Sequence, residues 1–179
     1  KMKIYVLGVC GTFMGGLAQL AVQKGFEVAG CDENAYPPMS NVLAEQGIKV
    51  DQGFTVRNIA DDIDLFVIGN VVSRGNPMME EILKKRLKFV SGPQFLTESI
   101  LEDRHVIAVS GTHGKTSTSS MLAKVLIDAG LDIGYMIAGR AIDLDSTAYL
   151  GTDKYFVIEA DEYDTCLLYT SDAADECSG

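Results

Sequence analysis

The stretch Gly111-Thr112-His113-Gly114-Lys115-Thr116 has the residue types and spacing to hold a polyphosphate. Glycines let the backbone curl until several N–H groups face one phosphate. A lysine then reaches the β- and γ-phosphates, and a neighbouring hydroxyl can bind Mg²⁺. The general phosphate-loop pattern has its first glycine where Val109 stands, so this is a variant loop. The plainer reading is a glycine-rich turn with an exposed lysine. Against it stands the order of the segments: apolar strand, loop, helix. Mg²⁺ at such a loop needs a carboxylate, usually from the end of a neighbouring strand. Glu159, Asp161, Glu162 and Asp164 follow the apolar run Phe156-Val157-Ile158, and Glu159 is the first polar residue beyond it. On spacing alone, an acidic and solvated start to a loop explains these residues equally well.

A second glycine-rich loop lies near the N-terminus. Gly8 and Gly11, with Gly15 and Gly16 further on, resemble a dinucleotide fingerprint, although Cys10 replaces the second glycine and Gly15 is displaced. A pyrophosphate could sit on the helix start, bound by backbone amides. Asp32 lies near the position that accepts from a ribose hydroxyl; it could equally cap the following turn. His113, inside the later loop, could touch phosphate or substrate, whereas His105, at a strand start, reads as structural. Cys10 and Cys31 read as small buried residues beside the first sheet, with no paired base to make a nucleophile. Arg74, Asn76 and Pro77 read as a turn, with Arg74 solvated or paired with a phosphate.

The elements that must position these residues alternate between strand and helix, which predicts an α/β fold with a largely parallel sheet. Lys3 to Leu7 is a strand, and the helix after it runs to about Lys24 with Met14, Leu17, Ala18 and Ala21 on its buried face. Glu27 to Cys31 is a strand ending in Asp32, Asn41 to Gln46 a short helix stopped by Gly47, and Asp64 to Ile68 a third strand. Met78 to Arg86 is a helix, Lys88 to Val90 a strand and Pro93 to Leu101 a helix. After Glu102-Asp103-Arg104 the alternation restarts: strand His105 to Val109, the phosphate loop, a helix to about Ala129 and a strand Tyr155 to Ile158. Two strand–glycine loop–helix starts predict two nucleotide-handling units, residues 1–103 and 104–165.

Composition narrows the function. The 179 residues are 47% hydrophobic and 22% charged, as in ordinary globular proteins. Fifteen basic against 25 acidic residues give a net charge of −10, and the basic ones do not cluster. No nucleic-acid or membrane partner is therefore expected, since both need a positive stripe. No apolar run approaches the length of a membrane span, and no signal-peptide pattern precedes the first strand, so a cytoplasmic location is expected. Four scattered cysteines form neither a metal site nor a disulfide framework.

The chain resembles the N-terminal part of the Mur ligase family. The resemblance rests on Gly8-Val-Cys-Gly-Thr-Phe-Met-Gly-Gly16, Tyr36-Pro-Pro-Met-Ser40, Arg74-Gly-Asn-Pro77, Ser91-Gly-Pro-Gln94, Gly111-Thr-His-Gly-Lys-Thr116 and Glu159-Ala-Asp-Glu-Tyr-Asp164. It implies a Rossmann-like domain followed by the start of a P-loop α/β ATPase domain. In the first, Gly8, Gly11, Thr12, Gly15, Gly16 and Asp32 would bind the UDP part of UDP-N-acetylmuramate. In the second, Gly111, Thr112, His113, Gly114, Lys115 and Thr116 would bind ATP, Lys115 would be catalytic, and Thr116 and Glu159 would hold Mg²⁺. ATP would phosphorylate the muramoyl carboxylate, and an amine would attack the acyl phosphate. The Cys-Gly-Thr-Phe-Met and Tyr-Pro-Pro-Met segments favour the peptidoglycan-recycling branch, whose amine belongs to the murein tripeptide L-Ala-γ-D-Glu-meso-diaminopimelate. Alternatives are the same chemistry with L-alanine as acceptor and a non-catalytic nucleotide-binding module. A third, an NAD-dependent oxidoreductase built on the first loop, leaves the second loop unexplained. The stretch from Cys166 to Glu176 resembles a translated sequencing adapter, so residues 166–179 are expected to be foreign and the native sequence to end at Thr165. The fragment by itself is expected to be inactive, with a second unit too small to cover both faces of its sheet.

Overall fold

The first apolar run, Lys3–Leu7, forms β1, and its central place explains why four of its five residues are buried. Residues 1–138 and 144–159 are described by the computed structural model. The chain divides into two compact units, Lys1–Phe95 and a second beginning at Leu96. In the first, β1 is followed by α1 (Thr12–Gln23), β2 (Glu27–Asp32), α2 (Met39–Glu45), β3 (Lys49–Gln52), β4 (Leu65–Ile68), α3 (Pro77–Lys84), β5 (Phe89–Ser91) and α4 (Gly92–Phe95). The strands form one sheet in the order β3-β2-β1-β4-β5. Every pairing is parallel, with Leu7 opposite Cys31 on one side and Ile68 on the other.

Residue types explain this layout. Tyr5 and Leu7 join Cys31, Phe66, Met78 and Ile82 in one core cluster, which ties α3 to one face of the sheet. Strand alternation turns Ile4 and Val6, both 0% exposed, to the other face. Right-handed crossovers running outward in opposite directions from β1 put α1 and α3 on opposite faces. The predicted inner face of α1 is correct: Met14, Leu17, Ala18 and Ala21 are all buried. Gly30 lets β1 and the turn after it lie close to β2, since a methyl group there would sit 2.5 Å from the Val6 carbonyl oxygen and 2.9 Å from Val9 Cβ. At the start of α3, Asn76 Oδ1 accepts from the N–H groups of Met78 and Met79, and Pro77 follows it.

Three segments depart from the expected elements. β3 has one apolar residue in Lys49-Val50-Asp51-Gln52 and carried no periodic signal; pairing with β2 makes it an edge strand. The predicted helix Pro93 to Leu101 is instead the short α4 followed by a π-helical turn, Leu96–Ile100. Met39–Glu45 starts two residues before the predicted helix, directly after the Pro37–Pro38 cis peptide.

In the second unit, β6 (His105–Val109), α5 (Lys115–Asp128), β7 (Gly134–Met136), β8 (Ala148–Tyr149) and β9 (Tyr155–Glu159) build a sheet in the order β6-β9-β7-β8. β6, β9 and β7 run parallel, and the short β8 pairs antiparallel with β7. β7 and β8 are not among the elements expected from the sequence, being only three and two residues long. Ala123 of α5 meets Ile133, Tyr135, Ile137 and Val157 in the core. Ser119 and Ser120, buried on the sheet side of α5, are satisfied by donating to the Lys115 and Thr116 carbonyls. Small side chains there let the helix lie close to β9. Among the described residues no helix is long and apolar enough to cross a membrane.

Candidate functional site

In the first unit the strand order reverses direction at β1, between β1 and β4. In such sheets the crevice for a ligand opens at the carboxyl ends of the strands flanking that point. A cleft of about 560 Å³ lies there. Cys10 and Gly11 after β1, Asp32 and Glu33 at the end of β2, Phe54 beyond β3, and the segment from Val71 to Pro77 after β4 contribute to its lining. Val71, 73% exposed, Phe54 and Pro77 give it apolar wall, while Asp32, Glu33, Asn34, Ser73, Arg74 and Asn76 give it polar groups.

Asp32 is 6% exposed and its carboxylate is engaged on both oxygens. Oδ2 accepts from the Cys10 N–H at 3.0 Å, and Oδ1 accepts from the Asn34 N–H at 2.9 Å. It therefore caps the turn after β2 and also ties that turn to the glycine loop across 22 residues of sequence. Its lone pairs remaining toward the cleft leave it able to accept from a hydroxyl as well. The first loop is further held by Gly8 and Val9 N–H groups donating to the Cys31 carbonyl.

The other residues of the first motif separate by role. Gly11 lines the cleft. Gly8 adopts φ +81°, which only glycine takes without strain. Gly15 and Gly16 are buried inside α1; a methyl group at Gly15 would lie 2.7 Å from Met39 Sδ, so this glycine lets α1 and α2 approach. Thr12 is the first residue of α1 and does not line the cleft. Cys31 is fully buried as expected, but Cys10 is half-buried and faces the cleft. Burial pushes the Cys10 thiol up to about 11, with the Asp32 charge adding to it. Burial likewise raises Cys31, to about 12. Neither is a ready nucleophile. Phe54, Val71 and Ser73 were not legible as site residues: they arrive from separate loops, and only the Arg74-Gly75-Asn76-Pro77 turn left a local signal.

In the second unit, the loop between β6 and α5 holds Gly111 to Gly114. Gly111 has φ +143° and Gly114 φ +77°, so both use backbone conformations that side chains resist. Thr112 and His113 are exposed; Lys115 and Thr116 are half-buried in the first turn of α5. β6 and β9 are neighbours, with Val109 opposite Glu159, so the loop and the carboxylate leave the sheet at the same edge. Thr116 Oγ1 donates to Glu159 Oε1 at 2.8 Å, and the Ala138 N–H donates to Oε2 at 3.0 Å. Two residues 43 apart in sequence thus meet, and a backbone amide orients the carboxylate. A hydroxyl and a carboxylate oxygen side by side are hard donors of the kind Mg²⁺ takes. Asp161, Glu162 and Asp164 lie outside the described residues, as does the segment 166–179. Among the described residues no cluster of three or more His, Cys, Asp or Glu could hold a metal by itself. His105 stacks edge-on against Tyr155 at 5.4 Å, away from the loop, in keeping with a structural part.

These two sites can be set beside known proteins. Residues 3–104 match the Mur ligase family, catalytic domain. The chain is 50% identical over 163 residues to UDP-N-acetylmuramate–L-alanyl-gamma-D-glutamyl-meso-2,6-diaminoheptandioate ligase of Escherichia coli (strain K12), covering 91% of this chain and 36% of that one. It is 51% identical over 162 residues to the protein of the same name from Haemophilus influenzae, covering 90% and 36%. The solved structure of the corresponding ligase from Neisseria meningitides superposes with a TM-score of 0.87 at 46% identity, covering 92% of this chain and 54% of that one. The chain thus spans about a third of the length of the curated relatives it matches. With the family match over more than half of its residues, this chain belongs to the Mur ligase family.

Proposed function

We propose that the chain is the nucleotide-sugar and phosphate-loop part of an ATP-dependent ligase that joins UDP-N-acetylmuramate to L-Ala-γ-D-Glu-meso-diaminopimelate in the cytoplasm, for peptidoglycan recycling. Residues 1–103 bind the UDP-sugar in the cleft of the first unit, and residues 104–165 begin the ATPase domain. The activity named for relatives that are half identical to this chain supports the reading. The observation that carries it is the meeting of Thr116 and Glu159 beside the Gly111–Lys115 loop.

The chemistry follows from these groups. The loop amides and the start of α5 favour a polyphosphate, and Lys115 offsets charge gathering on the transferred phosphoryl group. Thr116 and Glu159 would hold Mg²⁺, which would supply neutralisation of phosphate charge. The muramoyl carboxylate, once phosphorylated, is an acyl phosphate; the tripeptide amine attacks its carbonyl, phosphate leaves and the amine loses a proton. The test uses a chain extended to the length of its relatives, incubated with UDP-N-acetylmuramate, ATP, Mg²⁺ and either the tripeptide or L-alanine. The tripeptide amide and ADP should form together, and Lys115→Ala should lower the rate by about 10²–10³-fold. Preference for L-alanine would reject the acceptor assignment. Amide formation undiminished in the Lys115 variant would reject the role of the loop.

A further inference from the structure

We propose that Arg74 is the cation that fixes the ligand's diphosphate, and that the first unit's cleft is divided by charge so that a nucleoside diphosphate enters it in one orientation. This rests on the reading of that cleft as a nucleotide-sugar site. One side of the cleft, at the end of β2, carries Asp32 and Glu33; the other, after β4, carries Arg74. The nucleoside offers hydroxyl donors that carboxylates accept, whereas a diphosphate beside Asp32 and Glu33 would be repelled. The chain as a whole bears a charge of −10, so its general field does not draw an anion in; the positive potential must be local, and Arg74 adds a full charge to what the backbone amides of the first loop supply.

The turn that carries Arg74 is fixed. The Gly75 N–H donates to Glu80 Oε1 at 2.8 Å, the Asn76 N–H donates to the Ser73 carbonyl at 3.1 Å, and the Asn76 side chain is spent on capping α3. Among the described residues the guanidinium itself makes no ion pair or hydrogen bond. Glu80, the nearest acid along the chain, already has an oxygen on Gly75. A planar fork of donors, unspent and mounted on a pinned turn at the wall of a cleft, suits two phosphate oxygens.

UDP and uridine are titrated into the 179-residue chain and into its Arg74→Gln and Arg74→Lys variants, at low and moderate salt, with folding checked by circular dichroism. Arg74→Gln should weaken UDP about 10- to 100-fold and flatten its salt dependence. Arg74→Lys should recover part of the loss, and uridine binding should stay within about twofold. Equal loss of UDP and uridine in the Gln variant would show a merely structural part and overturn the proposal. UDP binding by Arg74→Gln at wild-type strength would overturn it too, while leaving the cleft assignment intact. A wild-type chain that binds neither UDP nor uridine would instead sink the cleft assignment itself.

Discussion

Asp32 and Glu159 show how a single carboxylate is given its work by its neighbours. Each accepts from a backbone N–H of a loop distant in sequence, Cys10 for one and Ala138 for the other. The side chain is thereby held in one rotamer before any ligand arrives, which reduces the entropy lost on binding. Cys10 shares the environment of Asp32, and its raised pKa gives a test. With a thiol near 11, the thiolate fraction at pH 8.5 is about a hundredth of that of an exposed cysteine. Iodoacetamide labelling of the Cys10 peptide at that pH should therefore be about 100-fold slower than in the unfolded chain. It should quicken as pH rises toward 11, since the thiolate alone reacts, and UDP in the cleft should slow it further. Labelling at the unfolded rate would contradict both the burial and the position assigned to this thiol.

At the scale of elements, close approach is set by glycines, and they are not equivalent. A methyl group at Gly30 meets the Val6 carbonyl oxygen at 2.5 Å and Val9 Cβ at 2.9 Å, both on rigid backbone. One at Gly15 meets Met39 Sδ at 2.7 Å, the end of a flexible side chain. Gly30→Ala should therefore destabilise the chain by about 3 kcal/mol and Gly15→Ala by about 1 kcal/mol or less, read from urea midpoints. The reverse order would mean that α1 and α2, not the sheet, set the packing limit. Gly15 is displaced from the dinucleotide fingerprint, and its part in UDP binding is implied by the family resemblance; in the fold it faces Met39 of α2. Spacing along a helix start cannot tell a glycine facing a ligand from one facing a neighbouring helix.

The whole molecule contains two strands of similar composition with different fates. β1, Lys-Ile-Tyr-Val-Leu, is buried along four residues, whereas β6, His-Val-Ile-Ala-Val, is nowhere fully buried. β1 has a strand on either side; β6 lies at an edge of its sheet. In α5, Met121 and Val125 are 68% and 65% exposed, one turn apart. Among the described residues, β6 and the outer face of α5 are therefore less covered than the central strand β1. In hydrogen exchange the amides of Ile4 to Leu7 should be the slowest in the chain, and those of Val106 to Val109 should exchange at least ten times faster. Equal protection would mean that the second unit is as well closed as the first.

Residue types and spacing alone determined most of the strand and helix sequence, the inner face of α1, and the two glycine loops, with the Gly-Lys-Thr pattern of the second one standing between a strand and a helix. These signals are local: turns need glycine, helices repeat every three or four residues, and a central strand is an unbroken apolar run. β3 was not legible because an edge strand needs little apolar surface, and its identity comes from pairing Lys49 to Gln52 with Ala29 to Asp32. The cleft was legible only in part. Cys10, Phe54 and Val71 converge through the order β3-β2-β1-β4-β5, and strand order is a property of backbone pairing between segments far apart in the chain. The same holds for Glu159: spacing left it undecided between ligand and solvated acid. Only the pairing of β6 with β9 brought its carboxylate to the Thr116 hydroxyl.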